Sequence, residues 1–277
     1  ASDVYKRQIL SNRAAMAKVI IRELEAYKKE YGRPRRTVID NLKEAVVEEK
    51  KIEEMDVVFL MDRFGYAKTV DVSVYERNKE AADTENRYIL TCKNTDKICI
   101  FTNKGQMHLL KVLDLPYGKF RDKGIPIDNL SNYNSSEENF IYIINLGAII
   151  HSRLLFGTKT AMLKMVDGSE FDVAKRTTAS TKLNEDDELL IVHAMTGEET
   201  VVMQSEKEMF LRIEASTIPE KKKGAVGVRG MKLNAGDALS NIYVLDGESE
   251  QTVEVKGKEV VLNRLRVGNR DTKGTKR

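Results

Sequence analysis

The 277-residue sequence predicts a mainly β fold: a propeller-like array of about five four-stranded units, preceded by an α-helical segment. Three observations carry this. From Met55 onward the chain is made of short runs rich in β-branched and aromatic residues, among them DVVFLMD, RYILTCKN, KICIFTN, FIYIINL, ELLIVHAM and ETVVMQS, each bounded by polar turns. Turn-like apices recur near Gly65, Gly105, Gly157, Lys207 and Gly257, at spacings of 40, 52, 50 and 50 residues. Before Met55 the apolar period is helical instead. A repeat is the physical answer to such strands, because one four-stranded sheet cannot bury both of its faces alone.

Taken in order, ASDVYKRQ fits neither texture. Its DVYKRQ core is what a common sequencing-library adapter encodes, so residues 1–8 are read as a non-native extension, with natural sequence expected upstream of Ile9. From Ile9 to Tyr31, the residues Ile9, Leu10, Ala14, Ala17, Ile20, Ile21, Leu24 and Tyr27 form one apolar stripe opposite Lys, Arg and Glu. Gly32 and Pro34 then stop the helix. Residues 35–54 read as a charged connector, extended first and helical later, so the helical arm and connector occupy 9–54 and the β domain 55–277. Within the β region GIPIDNL (124–130) aligns with GVRGMKL (227–233), and TKL (181–183) falls between them.

Composition narrows the function. Apolar residues make up 41% and charged residues 32%, a globular balance, and no apolar run approaches the ~20 residues of a membrane span. No secretory leader is evident, and a cytoplasmic location is expected. Cys92 and Cys99 form no CxxC and have no paired histidines, so they read as buried thiols and not as zinc ligands. His108, His151 and His193 stand apart from any nucleophile motif, which argues against a free-standing enzyme.

Net charge is only +3, and residues 55–277 hold 33 basic and 33 acidic side chains, so any attraction to a polyanion depends on arrangement. Basic clusters recur once per unit: Arg77 and Lys79; Lys119, Arg121 and Lys123; Lys175, Arg176 and Lys182; Lys221, Lys222, Lys223 and Arg229; Arg270, Lys273, Lys276 and Arg277. Acidic clusters, SSEENF, NEDDEL and DGESEQ, lie at another phase. In a closed array one phase means one edge, so these cations predict a rim that neutralises DNA phosphates. Glycine among them, as in IPEKKKGAVGVRG, lets backbone approach a phosphate. The competing reading is an interaction hub whose basic loops meet an acidic protein partner.

Two regions resemble a known family, the A-type subunits of bacterial type IIA topoisomerases, that is, of DNA gyrase and topoisomerase IV. IIRELEAYKKEYGRPRRTVI (20–39) looks like the end of the coiled-coil arm of the breakage-reunion core. DVVFLMDRFGYAKTVDVSVY, KICIFTNKGQMHLLKVLDLP, KGIPIDNL and VGVRGMKL look like successive blades of the C-terminal β-pinwheel. The resemblance implies a rim that binds and bends duplex DNA for strand passage. It also implies a B-type ATPase partner in an A₂B₂ complex, with ATP and Mg²⁺ bound elsewhere and no cofactor or catalytic tyrosine in this chain. One departure stands out. Gyrase marks its first blade with a Gln-Arg-Arg-Gly-Gly-Lys-Gly heptapeptide, whereas here the stretch between Tyr75 and Tyr88 contains ERNKEAADTEN, with four acids and no glycine. The expectation is therefore a topoisomerase IV-like or divergent gyrase subunit, serving relaxation or decatenation in preference to negative supercoiling.

Overall fold

A computed structural model describes residues 2–37 and 52–277, so most of the connector expected over 35–54 lies outside the described residues. The chain forms two compact units, Ala1–Lys51 and Ile52–Arg277. In the first, α1 (Ser2–Ser11) and α2 (Arg13–Tyr31) replace the single helix expected from Ile9. The break is Asn12, whose backbone is extended and whose side chain accepts from the N–H groups of Ala14 (3.0 Å) and Ala15 (3.3 Å), an N-cap that starts α2 afresh. No α2 residue is buried, and Ile20, Ile21, Leu24 and Tyr27 lie open along one stripe.

The second unit begins with β1 (Asp56–Asp62), β2 (Tyr66–Asp71), α3 (Val72–Arg77), α4 (Lys79–Glu85) and β3 (Asn86–Lys93). There follow β4 (Lys97–Thr102), β5 (Gln106–Lys111), β6 (Ile125–Pro126), β7 (Phe140–Asn145), β8 (Arg153–Thr158), β9 (Met162–Asp167) and β10 (Thr177–Ala179). The chain continues through β11 (Leu189–Met195), β12 (Thr200–Ser205), β13 (Met209–Glu214), β14 (Val228–Arg229) and β15 (Leu239–Leu245), then β16 (Thr252–Val255), β17 (Lys258–Val261) and β18 (Thr275–Lys276).

The sheet orders are β3-β1-β2-β6, β7-β4-β5-β10, β11-β8-β9-β14 and β15-β12-β13-β18, all antiparallel pairs. Each is built on a hairpin whose second strand is completed by a very short strand arriving only after the next hairpin has formed. The mainly β, blade-like reading therefore holds, with a correction to the count. Among the described residues four sheets have four strands, while the fifth unit is the two-stranded hairpin β16-β17.

The apices are Gly65, Gly105, Ala161, Glu208 and Gly257, all with positive φ. Gly157 is not one of them. It lies within β8, where an added Cβ would press on Ile242 and Ile191. The turns share a device that explains their sequence: Asp62 Oδ1 accepts from Tyr66 N (3.0 Å), Thr158 Oγ1 from Met162 N (3.2 Å) and Ser205 Oγ from Met209 N (3.3 Å). Thr102, at the matching place in the second unit, is buried and unpartnered.

β1, β4, β8 and β12 are apolar along nearly their whole length because both faces are covered, by a neighbouring sheet on each side or, for β1, by a sheet on one side and helices on the other. Phe59 and Met61 meet Ile98 and Ile100; Phe101 and Met107 meet Leu154 and Phe156; Leu155 and Leu163 meet Val201 and Met203. The series ends with Val202 and Leu245 against Val255 of the β16-β17 hairpin. At the other end, Val58, Leu60 and Val70 of the first sheet are sealed by Ala82, Val72, Val74 and Tyr75 of α3 and α4. The glycine-free stretch ERNKEAADTEN is thus part of a helical cap on the first sheet.

Candidate nucleic-acid interface

Three of the basic segments occupy one structural position. The carbonyls of Pro116 and Pro219 accept from Thr69 N (2.9 Å) and Met165 N (3.1 Å), four residues past the apices Gly65 and Ala161. The chain returns the bond two residues later, from Gly118 N to Thr69 O (3.3 Å) and from Lys221 N to Met165 O (2.8 Å). In the fourth unit Gly268 N donates to Arg212 O (2.8 Å), again four residues past an apex, Glu208. From each start the chain runs eight residues to a glycine: Pro116 to Gly124, Pro219 to Gly227, Arg266 to Gly274.

Those glycines are where the loops re-enter the sheets as β6, β14 and β18. A Cβ there would stand 2.5 Å from Ala67 O, 2.5 Å from Leu163 O and 2.8 Å from Phe210 O, so only hydrogen fits. The recurring lysine–glycine composition therefore has two causes. The glycine closes the backbone onto the hairpin, and the residues before it are solvent-facing loop.

The second unit breaks the pattern. Leu109 N donates to Arg176 O (2.7 Å), the bond that Pro116 and Pro219 accept elsewhere, yet Thr177 follows at once in β10, at the place of the glycine. Lys175 and Arg176 are exposed on the short bend that leads into β10, with no eight-residue loop, and Lys182 lies beyond the short strand. The sequence expectation of clusters at one phase in every unit is corrected to three loops, because the second unit lacks the eight-residue excursion. Arg77 and Lys79 belong to α3 and α4.

Within the loops the cations differ. Lys119, Arg121 and Lys123 are all exposed, on a turn that Asp122 closes by accepting from Lys119 N (2.8 Å). Lys222 reaches open solvent, with Glu170 at 3.5 Å. Lys221 is half-buried, and Lys223 folds inward: its N–H donates to Glu170 Oε2 (3.0 Å), its Nζ to Glu170 O (2.7 Å), and it sits over Phe171. In the fourth unit Arg270 donates to Arg229 O (2.9 Å) and Arg229 pairs with Asp271 (3.4 Å), leaving Lys273, Lys276 and Arg277 exposed.

Much of the acidic sequence is structural. Glu138 of SSEENF is buried on His108 (Nε2 at 2.8 Å). Asp187 of NEDDEL is buried on Thr160. Glu188 accepts from Lys104 (2.8 Å) and Lys159 (2.5 Å), the turns of two adjacent hairpins, and these hydrogen bonds hold its carboxyl down to about 2. DGESEQ is exposed apart from half-buried Gln251. Burial pushes the Cys92 and Cys99 thiols up to about 11 and about 12. Among the described residues, no three His, Cys, Asp or Glu side chains converge as a metal site.

Sequence reasoning missed two cations. Lys68 and Lys164 each lie three residues past an apex, Lys164 being only 1% exposed, and both donate to carbonyls of the basic loops. Burial lowers both ammonium pKa values, that of Lys164 to about 8. A signal was present: YAKTV and MLKMV set a lysine in a buried strand at the same distance from the turn.

Residues 152–193 and 199–246 match the family described as DNA gyrase C-terminal domain, beta-propeller. The chain is 29% identical over 288 residues to the DNA gyrase A protein of Staphylococcus epidermidis, covering 97% of this chain and 32% of that protein. With the DNA gyrase A protein of Lawsonia intracellularis the identity is 28% over 286 residues, covering 96% and 35%. The chain thus spans about a third of the length of these curated relatives. Among solved structures, the C-terminal domain of DNA topoisomerase IV has the same fold with a TM-score of 0.72 at 22% identity, covering 81% of this chain and 73% of that one. The E. coli ParC C-terminal domain follows at 0.65 and 15%, covering 80% and 94%. Sequence motifs, blade topology and these comparisons agree on one resemblance, to the C-terminal β-pinwheel region of the DNA gyrase and topoisomerase IV A subunits.

Proposed function

We propose that residues 55–277 bind and bend duplex DNA through its phosphates, as the non-catalytic C-terminal part of a type IIA topoisomerase A-type subunit. The observation that carries this reading is the register: three basic loops of equal length leave three sheets at one position and return through a glycine. Equal register places the cations at the same point of the first, third and fourth sheets, which suits a uniformly charged polymer and needs no base reading. The gyrase A relatives, and the fold shared with the topoisomerase IV domain, support the same assignment.

In the parent protein the domain presents a duplex for ATP-dependent strand passage, within an A₂B₂ complex that holds ATP and Mg²⁺ on its other parts. The setting is the bacterial cytoplasm, at the nucleoid. Relaxation and decatenation are favoured over negative supercoiling. In support, α3 and α4 occupy the stretch that lacks the glycine-rich heptapeptide, and they cap an apolar face instead of offering a phosphate loop.

The test is a salt titration of the 277-residue chain on a ~40-base-pair duplex with end-labelled dyes. Binding with a steep slope and a shortened end-to-end distance is expected. Replacing Lys119, Arg121 and Lys123 by alanine should lower the slope by about one for each phosphate no longer neutralised. Absence of binding at 50 mM salt refutes the reading.

A further inference from the structure

Two ammonium groups lie beneath the basic loops, that of Lys164 buried and that of Lys68 half-buried, and both are spent on loop carbonyls. Lys164, between Leu163 and Met165, donates to the carbonyl oxygens of Lys222 (3.2 Å), Lys223 (2.8 Å) and Ala225 (2.7 Å). Lys68 donates to those of Phe120 and Asp122 (2.9 Å to the latter). Counted from Pro116 and Pro219, Phe120 and Lys223 are both fourth in their loops, and Asp122 and Ala225 both sixth. The same two carbonyls are captured twice.

The other units supply the contrast. His108 takes the position in the second unit, which has no eight-residue loop. In the fourth unit the position is Leu211, and that loop is braced differently, by Thr272 Oγ1 on Asn269 O (2.6 Å) and Asp271 N on Gly230 O (2.8 Å). Leucine therefore fills the space, and a buried ammonium is costlier to place there than leucine. What the ammonium adds is orientation. In a trans peptide the N–H points opposite to its C=O, so drawing in the carbonyls of Phe120, Asp122, Lys223 and Ala225 turns the N–H groups of Arg121, Lys123, Gly224 and Val226 away from the lysine. Among the described residues none of these four donates to a protein acceptor. Space beside Gly224 is open, with nothing within 4 Å of where a Cβ would sit. The N–H groups between them, of Asp122 and Ala225, close the loops onto Lys119 O (3.1 Å) and Lys222 O (3.0 Å), so each loop keeps two outward donors, one residue apart, for an anion.

We propose that Lys68 and Lys164 are positioning residues, each holding the carbonyls of a basic loop inward so that the loop's N–H groups and exposed cations receive a nucleic-acid phosphate. This rests on the DNA-binding reading above. A duplex phosphate is favoured over a free anion because the same constellation recurs on the first and third sheets of one array.

The test uses the 277-residue chain as wild type, Lys164→Met and Lys68→Met, with the ~40-base-pair duplex as probe and amide hydrogen exchange of residues 220–227 and 117–124 as a second readout. Each methionine variant should speed exchange in its own loop. It should also lower the salt slope by about one or more and weaken binding about eightfold at 0.1 M salt for each phosphate no longer neutralised, although the replaced side chain touches no phosphate. Lys164 faces Glu170 and Lys221, with Lys222 and Lys223 on the same loop. Its ammonium loses its proton near pH 8 while surface lysines keep theirs, so wild-type affinity should fall between pH 7 and 9 and that of Lys164→Met should not. If wild type binds and both variants match it in affinity and slope, or if Lys164→Met shows the same pH fall, the positioning role is overturned and DNA binding stands. If wild type does not bind, both readings fall. Using two loops on separate sheets keeps the test decisive where one variant fails to fold.

Discussion

Gly227→Ala is the sharpest perturbation that the loops offer. The added methyl would stand 2.5, 2.8 and 2.9 Å from the O, C and N atoms of Leu163, all backbone, and a Cβ does not come within 3.0 Å of such atoms. Relief requires the entry to β14 to move off β9 by about half an ångström or more. That strand is only Val228–Arg229, paired with Leu163 and Met162, and Gly230 N donates to Ala161 O (2.7 Å) just beyond it. Losing two such hydrogen bonds at about 1 kcal/mol each, with some of the packing around fully buried Met231, gives a cost of about 2–4 kcal/mol. For a unit of this size that lowers Tm by about 4–16 °C. The control is Gly224→Ala in the same loop, where nothing lies within 4 Å and φ is not in the left-handed range; it should be neutral or slightly stabilising. Urea unfolding of both variants decides. A difference below about 0.5 kcal/mol would refute the claim that close approach fixes the glycine.

Glu188→Gln should cost about 1–2 kcal/mol at pH 7, discounted for the carboxylate's partial exposure. Because the folded carboxyl titrates near 2 against an ordinary 4.5, its contribution is complete above about pH 4.5 and lost as pH falls toward 2. Unfolding midpoints of wild type and variant should therefore converge in acid, and a gap unchanged at pH 2.5 contradicts the clamp. Cys92 and Cys99 should resist a thiol reagent at pH 8 in the native chain and react once unfolded, since burial holds both thiols protonated. Replacing Lys175 and Arg176 together by alanine should reduce the DNA salt slope less than replacing Lys119, Arg121 and Lys123, because the second unit has no eight-residue loop; equal effects would contradict the register argument.

Hairpins were legible because their strands are apolar on both faces and their turns recur. The two-residue strands β6, β14 and β18 were not, since Ile125–Pro126 or Val228–Arg229 carries no period of its own; glycine spacing was their one local trace. ERNKEAADTEN stands out in the sequence by the glycines that it lacks, which say nothing of its helical state. Its helix formers and Ala82, which seals Val58 and Leu60, carried the true signal. The rim lysines were legible as charge, yet composition could not separate Lys222, which faces solvent, from Lys223, which is folded onto Glu170. Buried cations such as Lys164 contradict the expectation that lysine lies outside, and only the geometry of three converging carbonyls resolves them.

The deferred short strand also sets a schedule for synthesis. β2 ends at Asp71 and its partner β6 begins at Ile125, 54 residues later. At ribosomal rates of about 5–20 residues per second, the first sheet waits roughly 3–11 s with one edge bare. The later sheets meet the same delay in turn, so the nascent chain always carries an unfinished edge just behind the exit tunnel. β2 carries Lys68 and Asp71 beside Ala67 and Val70, and charge on a waiting edge discourages pairing with a neighbouring chain.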